Sequence, residues 1–343
     1  MNQDRLRHLF QRYPALRVGI LGDFCLDRYL EIEAARAETS LETGLPVLNV
    51  ARARAQPGGA GTILNNLAAL GVGEIYPIGF CGEDGEGYEL RRALAANAAA
   101  RMDGFLQTAS RCTFTYCKPL MIEPGKPARE LNRLDTKNWT PTPAAIEESL
   151  VASLMRLAPR LDAIIVLDQV DVAETGVVTK RVLKAIELLC RQRTDCLILA
   201  DSRRGLRGWP SVIFKMNADE LAALTGLSAK SGLEELQRMA CSLARQQGRL
   251  VFVTLAERGM IGATPNGEVE YMQSLPLRGP IDIVGAGDSV TANLAASLAA
   301  GATPREAIEV ASAAASVVIH QLGTTGTAAR EAIAALLTAS KAA

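Results

Sequence analysis

Asp282-Ile-Val-Gly-Ala-Gly-Asp288 runs directly into Ser289-Val-Thr-Ala-Asn-Leu-Ala-Ala-Ser-Leu298, a glycine turn that opens a helix of small residues. The two glycines let the backbone approach a ligand closely. The free amides of residues 285–288, together with the helix dipole, form a site for developing negative charge. Asp288, in the first helical turn, is placed to accept a proton from a hydroxyl beside that anion site. Taken alone, G-x-G-D is equally a strand-to-helix connection whose aspartate merely complements the dipole, so the rest of the chain must discriminate.

Upstream of this turn, apolar runs alternate with helical patterns. Arg17-Val-Gly-Ile-Leu-Gly22 reads as a short buried strand. Gly59 to Leu70 has helical spacing and stops at Gly71, Glu74 to Cys81 returns to strand character, and Tyr88 to Ala100 reads as the next helix. Further strands are expected at 162–168, 195–201, 212–216 and 249–254, with helices around 143–157, 176–192, 218–225 and 232–247. Met260–Met272 reads as a hairpin turning at Pro265-Asn266-Gly267, and Ala-rich helix follows Asp288. This order predicts an α/β fold: a doubly wound, mainly parallel sheet with helices on both faces. Two stretches, 31–56 and 105–138, lack helices and read as β excursions that pair into a small sheet over the strand ends, where a lid would sit.

Composition narrows the function. The chain has 343 residues, 48% apolar and 22% charged, as expected of one large folded core with a small attachment. Lys plus Arg equal Asp plus Glu at 37 each, which leaves no electrostatic footprint for nucleic acid or an anionic membrane. Fifteen scattered aromatic residues are too few for base-stacking platforms. The cysteines at 25, 81, 112, 117, 190, 196 and 241 contain no C-x-x-C pair, so reduced thiols in a cytoplasm fit better than a disulfide framework or a zinc site. His8 and His320 stand alone, which turns catalytic proton transfer over to a carboxylate. No export signal and no stretch approaching the ~18 apolar residues of a membrane span is expected.

The GAGD turn entering a helix, with Gly58-Gly59 in the first third of the chain, resembles the ribokinase-like (PfkB) carbohydrate kinases over roughly residues 17–338. Within that family, Gly22-Asp-Phe-Cys-Leu-Asp-Arg-Tyr29, Gly82-Glu-Asp-Gly-Glu-Gly87, Arg133-Leu-Asp135 and Leu322-Gly-Thr324 look most like the D-glycero-β-D-manno-heptose 7-phosphate kinase branch. The resemblance implies one ribokinase-like kinase domain over 1–343, with ATP and Mg²⁺, K⁺ as a further cation, and a homodimer through the β lid. It makes Asp288 the base, and the amides of Gly285, Ala286 and Gly287 the cradle of the transferring phosphoryl group. Asp27, Gly58, Gly59, Thr62 and Arg133 fall on the sugar side, and Asn217, Thr254, Gly259 and Ser312 on the nucleotide side. Glu220, in Asn217-Ala-Asp-Glu220, would organise Mg²⁺ through water, and Asp282 would lie near a monovalent cation. Plain alternatives stand beside these roles: Asn217 and Glu220 as a capping box, Asp27 paired to Arg28, Gly58-Gly59 as an ordinary turn, Arg133 in a surface ion pair.

Departures from the branch cluster at the sugar-phosphate end. Thr62 replaces an Asn, Tyr116 a Lys, and Asp168-Gln-Val-Asp-Val172 stands for D-Y-x-K-G. Ala256, Val284 and Ser312 are milder changes on the nucleotide side. The expectation is an ATP-dependent kinase of a sugar or sugar phosphate that prefers an acceptor other than the usual heptose 7-phosphate, or binds it in a changed manner, because Tyr116 and Asp171 replace basic groups and Asp171 would repel a phosphate. The rival of another class is a noncatalytic sugar- or nucleotide-binding sensor on the same fold, against which an intact Asp288 speaks. A Rossmann dehydrogenase is disfavoured because Gly82–Gly87 spaces its glycines as G-x-x-G-x-G.

Overall fold

The computed structural model describes residues 1–226, 228 and 231–342. Among the described residues nine strands form the main sheet, in which Arg17–Gly22 and Ala163–Asp168 are adjacent parallel strands. Outward from Arg17–Gly22 lie Glu74–Gly82 and Phe105–Thr108, and on the other side follow Leu197–Ser202, Ile213–Asn217 and Val251–Thr254, all parallel. The hairpin Met260–Ala263 and Val269–Met272 closes the far edge antiparallel.

Strand alternation divides the apolar residues between two cores. Val18, Ile20, Ile165 and Leu167 face the helices Ala60–Ala69, Ala286–Ala299 and Pro304–Val318, while Leu21, Ile164 and Val166 face Ala144–Leu157, Lys180–Gln192 and Leu233–Gln247. The near-continuous apolar character of these strands follows from burial on both faces. On the first face, Ala292, Ala295 and Ala296 of one helix and Ala307, Ala311 and Ala314 of the next are all fully buried. The alanine richness of the C-terminal half is therefore a close-packing device.

The lid is a second sheet, ordered Leu134–Thr136, Phe114–Ile122, Phe24–Glu33, Val50–Gly59. Its boundaries differ from those expected. It begins at Phe24 because the buried Asp23 carboxylate accepts the amides of Gln169 and Val177 at 2.8 and 2.7 Å and turns the chain out of the main sheet. Phe105–Thr108 belongs to the main sheet instead, where Phe105 packs edge-on to Phe24 at 5.2 Å. Residues 38–47 form a separate two-stranded piece. The helix expected at 88–100 runs from Gly85 to Ala95, since Asp84 caps it by accepting the Gly87 amide at 2.7 Å, and Ala100 is already bridged to Ile75.

At the carboxyl end of the strand Arg17–Gly22, a Cβ on Gly22 would stand 2.6 Å from the Leu167 carbonyl oxygen of the neighbouring strand. Gly22→Ala should push these strands apart and cost about 1–3 kcal/mol, read as a lower denaturant midpoint at unchanged slope.

Candidate active site

The carboxyl ends of the parallel strands and the inner face of the lid enclose a cleft of about 410 Å³. Period-two alternation sets the lid's contribution. Cys25, Asp27 and Tyr29 lie on one face, with Gly58, Gln56 and Arg54 opposite them on one side and Phe114, Tyr116 and Lys118 on the other. Asp27 is buried and fits only because its neighbour is glycine: a Cβ on Gly58 would lie 2.7 Å from the Asp27 carboxylate. Burial raises the Asp27 pKa, and Lys118 and Arg133 pull it back.

Across the cleft stands the turn before the helix Ala286–Ala299. Gly285 caps it at φ 81°, a left-handed conformation that glycine adopts without strain, and the Ala286 amide of the first turn donates to the Ile283 carbonyl at 3.2 Å. Gly285, Gly287 and Asp288 line the cleft facing Asp27. Beneath Gly287 lies a buried ion pair, Lys215 Nζ to Asp201 Oδ2 at 2.7 Å, with the Thr291 hydroxyl donating to the same oxygen at 3.0 Å. Burial alone would discharge Lys215, but Asp201 outweighs it and holds the amine above its ordinary value. The Lys215 Nζ sits 3.3 Å from where a Gly287 Cβ would be, so a full positive charge backs the turn.

The Asp288 carboxyl is pushed up to about 7, chiefly by burial and then by the Asp201 and Asp27 charges, against the pull of Lys215. A carboxyl whose pKa lies near 7, beside the glycine turn and a buried lysine, can take a proton from a hydroxyl while negative charge collects near the lysine. Residues 165–330 match the pfkB family carbohydrate kinase pattern. The chain belongs to the pfkB family of carbohydrate kinases. It is 32% identical over 333 residues to the bifunctional protein HldE of Hyphomonas neptunium, which covers 97% of this chain and 66% of that protein. With HldE of Gluconobacter oxydans the identity is 29% over 309 residues, 90% of this chain and 62% of the relative. The chain thus spans just under two thirds of the length of these relatives. The fold is that of Escherichia coli phosphofructokinase-2 in complex with substrates and products (TM-score 0.71, 17% identity, 94% of this chain and 99% of that one). It is likewise that of Arabidopsis thaliana ribokinase complexed with ribose and ATP (TM-score 0.66, 18% identity, 94% and 98%).

In this pfkB-family chain, the residues singled out from sequence divide. Asp27, Gly59, Thr62, Arg133, Glu220, Gly285, Gly287 and Asp288 line one cleft. Gly58 supports Asp27 from behind, and Ala286 lies between the two lining glycines. Asn217 and Glu220 do form the capping box, the Asn217 amide donating to Glu220 at 2.7 Å, while Glu220 still faces the cleft. Thr254 pairs in register with Asn217 on the next strand. Gly259, Ser312 and Asp282 are not among the lining residues. Asp282 instead joins two loops, accepting the amides of Val284 at 3.0 Å and Gly323 at 3.1 Å.

Asp171, expected to repel a phosphorylated acceptor, lies close to the cleft, because the small cavity it lines shares Cys25, Tyr116 and Gln169 with it. Asp171 is paired with Lys137 at 2.7 Å and Arg203 at 3.5 Å, and the Lys137 hydrogen bond lowers its pKa. Lys118, Arg133 and Arg203 face the cleft, whereas Arg28 turns away to Glu86 and Glu89. Sequence reasoning passed over Lys215, Asp201 and Arg203. A lysine inside the apolar run Val212-Ile-Phe-Lys-Met216 was the available signal, because a buried lysine needs a partner.

Because the folded-state pKa of Asp288 lies above the ordinary carboxylate value, ionising it costs stability between about pH 4 and pH 7. Asp288→Asn removes that cost. Its thermal midpoint should match the wild type near pH 4, rise above it as pH increases to 7, and keep a constant gain at higher pH.

Proposed function

We propose that this protein transfers the γ-phosphoryl group of ATP to a hydroxyl of a sugar or sugar phosphate. The observation that carries this is the opposition, across one cleft, of Asp288 with its glycine turn to the lid carboxylate Asp27. In the reaction, Asp27 accepts hydrogen bonds from acceptor hydroxyls, and Asp288 takes the proton of the attacking hydroxyl. The amides of 285–287, backed by Lys215, stabilise charge on the transferring group. Gly58, Gly59 and Thr62 shape the sugar end, and Arg133 with Lys118 and Arg203 meets an anionic substituent. Asn217, Thr254, Gly259 and Ser312 are assigned to the nucleotide half.

Mg²⁺, if bound with ATP, would supply charge neutralisation at the phosphates. Glu220 fits it as a carboxylate facing the cleft that retains free lone pairs after accepting the Asn217 amide. A K⁺ ion near Asp282 would reinforce the join between loops that this carboxylate already bridges. The apolar side chains of Leu41, Leu45, Leu48 and Val50, exposed beside the lid, favour a homodimer through it. Seven free thiols agree with a reducing cytoplasm, and among the described residues no helix is long and apolar enough to cross a membrane. The sensor alternative leaves the raised carboxyl of Asp288 without a task.

ADP release measured against a panel of free sugars and sugar phosphates tests the reading. Acceptor-dependent turnover should fall by about 10²–10⁴ in Asp288→Asn with nucleotide affinity little changed, and equal turnover in the two proteins would sink the assignment. Glu220→Gln should raise the Mg²⁺ needed for half-maximal rate more than it raises the acceptor KM, while superimposable Mg²⁺ titrations would remove Glu220 from the metal.

A further inference from the structure

Among the lid's contacts with the core, those to the loop Gly323–Thr325 form a pattern none of the assigned roles uses. Gln56, opposite Asp27 in the lid, spends both ends of its amide there: Nε2 donates to Thr325 Oγ1 at 2.5 Å, and Oε1 accepts from Thr324 Oγ1 at 2.9 Å. Two residues along the same strand, Arg54 donates to the Gly323 carbonyl at 3.0 Å while its guanidinium lies 3.9 Å over the Tyr29 ring. The loop is equally tied to the phosphoryl-transfer turn. Gly323 donates its amide to Asp282, Asp282 donates its own to the Ile319 carbonyl at 2.7 Å, and the Thr325 side chain stands 3.3 Å from the Cβ position of Gly285. One continuous set of contacts therefore leads from the lid strand beside Asp27 to the glycine that opens the anion-binding helix.

We propose that Gln56 is a positioning residue: through Thr324 and Thr325 it locks the lid, and the acceptor held on Asp27, in register with the Gly285–Asp288 turn. This rests on the kinase reading above for its catalytic consequence but not for its structural one. An acceptor hydroxyl must reach the phosphoryl group to within a few tenths of an ångström of the productive distance, and a displacement of ~1 Å costs about 10²-fold in rate. A side chain that fixes the separation of the two half-sites governs kcat without touching either substrate. The bidentate amide suits this task because neither bond alone sets the strand's tilt, whereas two bonds to consecutive threonines do.

Two measurements on the full chain test it. The first is hydrogen–deuterium exchange without ligands, comparing the wild type with Gln56→Ala, Thr324→Val and Thr324→Ser. The lock predicts faster exchange in both 50–59 and 282–288 for Gln56→Ala and Thr324→Val, unchanged exchange in 163–168, and wild-type behaviour for Thr324→Ser, which keeps the hydroxyl. Exchange at 282–288 equal to wild type in both deleting variants, or Thr324→Ser behaving as Thr324→Val, overturns the proposal. Should Gln56→Ala fail to fold, Thr324→Val carries the comparison. The second measurement is turnover with the best acceptor of the panel: Gln56→Ala should lose tenfold or more in kcat with nucleotide affinity within twofold, and an unchanged kcat overturns the catalytic role. A wild type inactive on every acceptor refutes the kinase reading instead, and the exchange result still decides the lock.

Discussion

The buried pair of Lys215 and Asp201 is the constraint around which the site is arranged. A lysine that deep in the sheet is tolerable only with a carboxylate at 2.7 Å, and the pair is completed by the Thr291 hydroxyl from the very helix whose turn it underlies. Strand, strand and helix are thereby held at one point. The positive charge is set beneath Gly287, and its range extends to Asp288, whose ionisation it favours against burial and two neighbouring carboxylates. Without this lysine the turn would offer only partial charges to an incoming anion. Without Asp201, the strand Ile213–Asn217 would carry an unpaired ammonium between two apolar cores.

The lid solves a different problem, that of closing over an acceptor while remaining a sheet. Its inner face carries the charged and hydroxylic groups of the cleft, and its edge strand reaches the core through Arg54 and Gln56. The positive groups that face the acceptor end come from separate places: Lys118 and Arg133 from the lid, Arg203 from the loop after Leu197–Ser202. Arg133 is paired with Asp135, and Arg203 shares the charge of Asp171 with Lys137.

Much of this was legible in the sequence, and what was not has identifiable causes. Periodicity located the strands of the main sheet and the 260–272 hairpin because those elements are buried on set faces, and burial is what periodicity records. It misplaced the lid's start, which depends on Asp23 accepting amides more than a hundred residues away, and it put Phe105–Thr108 in the wrong sheet, since a four-residue strand carries no mark of its partner. In the site, the glycine turn and Asp27 were visible as local motifs. Lys215, Asp201 and Arg203 were not, because each acquires its meaning from a neighbour on another strand. Asp171 likewise gains its partners Lys137 and Arg203 only in the fold, because a charge in sequence has a sign but no counter-ion.

The lid also has an order of assembly written into it. Its central strand Phe24–Glu33 is an early piece of chain, yet its parallel partner Phe114–Ile122 comes only after two helices and two strands of the main sheet, and Gln56 meets Thr325 across a separation of 269 residues. Contacts so distant along the chain form late, after the intervening segments have been brought together and the entropy of closing the loop has been met. During synthesis the strands Phe24–Glu33 and Val50–Gly59 therefore emerge well before the loop that closes onto them at Gln56. Until that loop arrives, Asp27, Arg54 and Lys118 on the inner face of the sheet keep charge rather than bare apolar surface turned toward water.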